Sequence, residues 1–149
     1  MAEGDIVLYN NFKEGILTGL FNLATDTIRI TLHTGYTPNI DTHDQWADTG
    51  VSSTEYGTGA GYTAGGATLG SLSVTQDDTN DRVLWDAADV TWSSLGALTP
   101  ATPSHAIIWD DTTTGDLLIC YIVLGTTATN GGNYTIAFSS SPAAIISIT

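Results

Sequence analysis

A few groups of side chains in this sequence have the types and spacing to do chemistry. Asp41, His43 and Asp44 put two carboxylates and an imidazole within four residues, a donor set suited to a divalent metal. Only two of the three can easily share a face, and no matching His/Glu cluster occurs elsewhere. The segment therefore reads as a capped helical turn, with Asp41 accepting backbone N–H bonds at its start. Asp77, Asp78 and Asp81 offer the oxygens that Ca²⁺ takes, but lack the longer ordered pattern of an EF-hand ending in Glu. They read as a hairpin turn closed by Asp side chains, and Asp110, Asp111 and Asp116 read the same way. Gly59-Ala60-Gly61-Tyr62-Thr63-Ala64 fits G-x-G-x-x-A as a string, yet no buried strand precedes it and no helix follows. It reads as a loop whose glycines permit positive φ or close approach of another segment.

Nucleophilic catalysis is hard to build from these residues. His33, His43 and His105 lie in separate segments, and no G-x-S-x-G elbow occurs. The single cysteine, Cys120, sits in the most apolar run of the chain, Leu117 to Leu124, and reads as a small buried hydrophobe. One cysteine also excludes an intrachain disulfide framework and a thiolate zinc cage. Carboxylates are numerous enough to pair at glycosidase spacing, but most lie in turn-like sequence and nothing singles out two. Of the four tryptophans, Trp85, Trp92 and Trp109 fall in strand-like segments and read as packing residues rather than a sugar platform with Trp46. Asn133-Tyr134-Thr135 is a formal glycosylation sequon that reads as a strand start. The expectation is no enzyme, no cofactor and no metal.

The elements that must position these residues are mostly strands. Phe12, Ile16, Leu17, Leu20 and Phe21 form one apolar stripe, predicting an amphipathic helix over 11–23, capped by Asn10 or Asn11 and weakened by Gly15 and Gly19. From Thr27 to His33 the period changes to two: Ile28, Ile30 and Leu32 face inward, while Thr27, Arg29, Thr31 and His33 take the other, wetter face. Residues 57–70 are Gly-rich and read as an extended loop. Short apolar runs follow at 72–74, 83–85, 90–92, 106–109, 117–124, 134–138 and 144–148, each bounded by turn residues. The run at 117–124 reads as a central strand buried on both faces, and the last run as paired within a sheet. The prediction is one mainly β domain over 1–149: an antiparallel sandwich or barrel of about seven or eight short strands with one N-terminal helix. Residues 1–9 read as an N-terminal arm that orders on a partner.

Charge narrows the partners. The 149 residues hold 3 Lys+Arg against 16 Asp+Glu, a formal charge of −13, yet only 13% of residues are charged and 42% are hydrophobic. No cation cluster exists to displace phosphate counterions or grip anionic lipid, so nucleic acid and membrane surfaces are excluded as expected partners. The run at 117–124 is too short for a membrane helix of roughly 20 residues. Met1 to Asp5 is acidic where a secretion signal carries cations, so the expectation is synthesis in the cytoplasm.

Taken in order, Tyr9-Asn10-Asn11-Phe12-Lys13-Glu14-Gly15, Thr27 to Leu32, Tyr36 to Asp44, Gly59 to Ala67 and Asp89-Val90-Thr91-Trp92 resemble a set of small tailed-bacteriophage structural proteins. The likeness spans most of residues 9 to 125. It implies a virion component, and within that a capsid decoration (cement) protein: small, β-rich and trimeric, binding the major capsid protein on the outer shell and bridging its subunits. A tail or adaptor component is the alternative in the same class, and a carbohydrate-binding module the alternative in another. The family offers no catalytic residues to carry over. The residues expected to make contacts are Ile6, Val7, Leu8, Tyr9, Tyr36, Trp46 and Tyr62. Thr-rich, weakly charged strands suit neutral, hydrogen-bonding contacts between copies.

Overall fold

A computed structural model describes residues 2, 4–125, 127–138 and 144–149. The fold is mainly β, sandwich-like and antiparallel, with a single α-helix among the described residues. Ten short strands occur among the described residues: β1 (Ile6–Leu8), β2 (Ile28–His33), β3 (Ala67–Thr68), β4 (Ser73–Asp77), β5 (Arg82–Asp86), β6 (Val90–Trp92), β7 (His105–Asp110), β8 (Leu117–Val123), β9 (Tyr134–Ile136) and β10 (Ile146–Ile148). They form a five-stranded sheet in the order β1-β8-β7-β2-β3, a three-stranded sheet β10-β5-β4 and a pair β6-β9.

The apolar alternation in β2 fixes which way the large sheet faces. Ile28, Ile30 and Leu32 are fully buried and join Ala106 and Ile108 of β7 and Cys120 of β8 in the main core. The opposing wall comes from the small sheets through Trp85, Val90, Trp92, Tyr134, Ile136 and Ile146. As expected, the run at 117–124 is buried on both faces and the last strand is paired, here with β5.

The second face of the large sheet departs from the sequence reading. Thr31 and His33, expected toward water, are fully buried. The cause is the segment 34–56, which has little regular structure beyond one 3₁₀ turn at Ser52–Thr54 and lies across that face. It brings Tyr36, Ile40, Trp46 and Val51 against Ile107, Trp109, Leu118 and Tyr121 to make a second core. Backbone bonds stitch it down: Trp46 N–H donates to Asp116 O at 2.9 Å and Leu118 N–H to Asp44 O at 2.9 Å.

The helix α1 (Asn10–Thr18) is shorter than the stripe suggested. Gly19 adopts the left-handed conformation at φ 73° and turns its N–H back to Gly15 O. Phe21 then folds over Gly15 and meets Phe12 edge-on, with ring centroids 5.0 Å apart. Leu17 and Leu20 are left exposed. Neither Asn10 nor Asn11 caps the helix; Tyr9 occupies the N-cap, without a side-chain bond. The asparagines work outward instead, Asn10 donating to Asp41 at 2.6 Å and Asn11 to Asp44 O at 2.7 Å. Asp41 is thus a tether to the helix rather than a turn cap, and Asn39 takes the capping role through its side chain to Asp41 N–H.

The N-terminal arm is also revised where it is described. Ile6, Val7 and Leu8 pair with Ile122, Tyr121 and Cys120 as the edge strand of the large sheet, and Tyr9 is fully buried. The alternating residues are used on both faces: Ile6 and Leu8 pack on the main core, Val7 on the second.

Candidate functional site

The three histidines, separate in sequence, meet on the covered face of the large sheet. β2 ends in His33 and β7 begins with His105, and the antiparallel register sets these two side by side. His43 arrives on the overlying segment. Tyr36 stands at the centre, its ring centroid 5.7 Å from that of His33, 5.6 Å from His43, 5.4 Å from His105 and 6.3 Å from Tyr121. Trp46 extends the cluster, edge-on to His33 and stacked on Trp109 at 4.7 Å and 18°. Arg29 lies 5.7 Å from the Trp109 ring, donates to Gly65 O at 2.8 Å and pairs with Asp111 at 3.3 Å.

A hydrogen-bonded chain runs through this cluster from core to surface. The hydroxyls of Tyr9 and Tyr36 are 2.6 Å apart, and Tyr36 Oη is 2.8 Å from His43 Nδ1. Tyr9 is fully buried, Tyr36 nearly so, and His43 is half-buried. His33 is bound through both ring nitrogens, to Thr31 Oγ1 at 2.9 Å and Thr54 Oγ1 at 3.0 Å.

Burial keeps Tyr9, Tyr36, His33 and His105 neutral. It pushes the His33 imidazole down to about 3, with His105 adding to the effect, and it lowers His105 as well. The Tyr36 hydroxyl is pushed up to about 12 by burial, against the bond from Tyr9, and Tyr9 is raised further still. Phenols and imidazoles packed ring against ring hold the covering loop in register on the sheet. Among the described residues no group of three or more His, Cys, Asp or Glu is placed to hold a metal ion.

The expected contact residues divide between interior and surface. Tyr9, Tyr36 and Trp46 converge in the cluster just described. Tyr62 lies in the main core, where its hydroxyl donates to Glu55 at 2.8 Å and accepts Leu32 N–H at 3.0 Å. Glu55, whose carboxyl is raised by burial, also accepts Gly65 N–H at 2.6 Å. Tyr9, Tyr36 and Tyr62 therefore serve internal packing rather than an outer contact. Ile6, Val7, Leu8 and Trp46 keep partial exposure.

Two further features belong to the surface. A groove of about 380 Å³ runs between β1 and β9, lined by Ile6, Ile122, Leu124, Tyr134, Ile136 and Phe138 among others, and among the described residues by no histidine or carboxylate. At the Asp-rich hairpin, Asp77 accepts from Asn80 and Arg82, each at 2.8 Å, which closes the turn with its own side chains and lowers the Asp77 carboxyl. Sequence reasoning missed the histidine cluster because its members are joined by strand register and a covering loop. The one legible signal was His33 on the same strand face as Thr31.

No family model, curated protein or solved structure matches the chain. No described helix is long and apolar enough to cross a membrane.

Proposed function

We propose that this protein is a bacteriophage virion structural protein, and within that class a decoration protein on the outer capsid surface. The observation that supports this reading best is how the segments carrying the resemblance sit together. Tyr9 bonds Tyr36 and, through it, His43; Asn10 bonds Asp41; Arg29 bonds Gly65 O; Leu32 N–H bonds Tyr62. Tyr62 in turn lies 6.3 Å from Trp92. All five stretches thus pack within the same fold, as segments kept together in a family's shared core would.

The physical character of that fold suits a shell component. Both faces of its large sheet are buried, one by the small sheets and one by the 34–56 cover. Its surface carries many carboxylates and few cations, so it does not compete for the packaged genome. Among the described residues β1 is the edge strand of the large sheet and is partially exposed, so its outer backbone is placed to hydrogen-bond a neighbouring subunit.

The test adds purified protein to isolated, expanded shells of the encoding phage and counts bound copies. Saturable binding at a fixed ratio to capsid subunits is expected. Binding confined to tails would favour the adaptor alternative. Binding only to glycans, abolished by Trp46→Ala, would favour the carbohydrate reading.

A further inference from the structure

We propose that Asp110 and the neighbouring Asp26 form a pH-sensitive latch, in which a proton kept on Asp110 bonds it to the Asp26 carboxyl and holds the segment 20–27 closed over the helix side of the core. The reasoning starts from a buried oxygen. Asp110 ends β7 and is fully buried, on the same sheet face as Ile108. Its Oδ1 accepts the N–H groups of Thr112 at 2.8 Å and Thr113 at 3.3 Å. Its Oδ2 is buried with no donor near it. Strand register brings a second carboxyl to it: Ile28 pairs with Asp110 and Thr27 O accepts Asp111 N–H at 2.9 Å, which sets Asp26 beside the end of β7, where its carboxyl acts on that of Asp110. Two carboxylates cannot bond each other; a carboxylic acid and a carboxylate can.

The surrounding charges do not remove the need for that proton. β2 contributes Arg29, but its guanidinium is committed to Asp111 and to Gly65 O. The turn after β7 adds Asp111 and Asp116, both of the same sign as the pair, and β8 begins with the apolar Leu117 and Leu118. Desolvation, with Asp26 beside it, pushes the Asp110 carboxyl up to about 6, against the pull of its two backbone donors.

The pair sits where it can control a segment. Asp26 Oδ2 accepts Asn22 N–H at 2.6 Å, closing the 22–26 turn, and Thr27 N–H donates to Thr112 Oγ1 at 2.7 Å. That turn carries Phe21 against Phe12, and Leu23 O accepts the indole N–H of Trp85 at 3.0 Å. Loss of the Asp110 proton as pH rises breaks that bond at the base of this turn. The segment then loosens and uncovers the apolar surface around Phe12, Val83 and Trp85.

Amide hydrogen exchange from pH 5 to 8, corrected for intrinsic rates, tests the latch on the full chain. Protection of amides 20–27 should fall about tenfold or more across this range, in step with Asp110 ionisation followed by carboxyl NMR. Asp110→Asn keeps the two backbone bonds and supplies a permanent donor to Asp26, so its protection should stay flat with pH. If Asp110→Asn loses protection as steeply as the parent, or the parent shows no change while Asp110 titrates as an ordinary carboxylate, the proposal is overturned. Should Asp110→Asn fold poorly, Asp26→Asn gives the same readout from the other side of the pair.

Discussion

Replacing Tyr36 by Phe should destabilise the protein more than replacing Tyr9, although Tyr9 is the more deeply buried of the two. Tyr36 Oη stands between Tyr9 Oη at 2.6 Å and His43 Nδ1 at 2.8 Å. Tyr9→Phe removes one end of this chain and leaves Tyr36 bonded to His43, at a cost of about 1 kcal/mol, the net worth of one hydrogen bond. Tyr36→Phe strands the Tyr9 hydroxyl at a fully buried site, and an unsatisfied buried donor costs about 1–3 kcal/mol. The half-buried His43 can turn to water and adds little. In the double variant no hydroxyl is stranded, so its cost should be about 1–1.5 kcal/mol, below that of Tyr36→Phe alone. The predicted coupling is about 1–2 kcal/mol, well beyond the ~0.5 kcal/mol scatter of independent sites. Urea unfolding of the four proteins at unchanged m-value measures it. In thermal melts Tyr36→Phe should lose about 2–12 °C, given about 2–4 °C per kcal/mol for a chain near this size. Costs that simply add in the double variant, or a silent Tyr36→Phe, would refute the buried-chain reasoning.

Three other outcomes follow from the same structure. Gly66 has φ +66° and its missing side chain leaves room for the Ile30 carbonyl, so Gly66→Ala should cost about 2 kcal/mol or more, whereas Ala at exposed Gly131, also at positive φ but with open space around it, should cost about 1 kcal/mol; thermal melts compare them. His33 is held at about 3 when folded against an ordinary value near 6.5, so its contribution to stability is complete above pH 6.5 and drains as pH falls toward 3. Asp110 acts with the opposite sign, since its raised carboxyl favours the folded state below pH 4 and gives up that benefit as pH rises through 6. Urea midpoints from pH 3 to 8 should therefore decline more steeply toward acid in Asp110→Asn than in the parent, and parallel curves would count against it. Cys120 is fully buried and its thiol is raised by burial, so a thiol reagent at pH 8 should leave the native protein untouched and label it once in denaturant.

The strand pattern was legible because period-two alternation in Ile28-Arg29-Ile30-Thr31-Leu32 and the continuous run around Cys120 report burial directly. The covering segment was not. Residues 34–56 have no periodicity, so nothing in them announces that they bury Thr31 and His33. The helix length misled for a local reason: the stripe through Leu17 and Leu20 fits a longer helix, but Gly19 turns left-handed and Phe21 uses the space at Gly15. The arm reading of residues 1–9 failed at Ile6–Leu8 because three residues are too few to display alternation, and both of their faces are used. The histidine cluster depended on register between strands more than seventy residues apart, which spacing along the chain does not encode.

The central claim, a decoration protein on the outer capsid, is tested most directly by the position and copy number of this chain in purified phage particles, read by cryo-electron microscopy with quantitative mass spectrometry. The account predicts density on the outer head surface at a fixed ratio to the major capsid protein. Absence from intact particles, or a few copies confined to the tail, would contradict it.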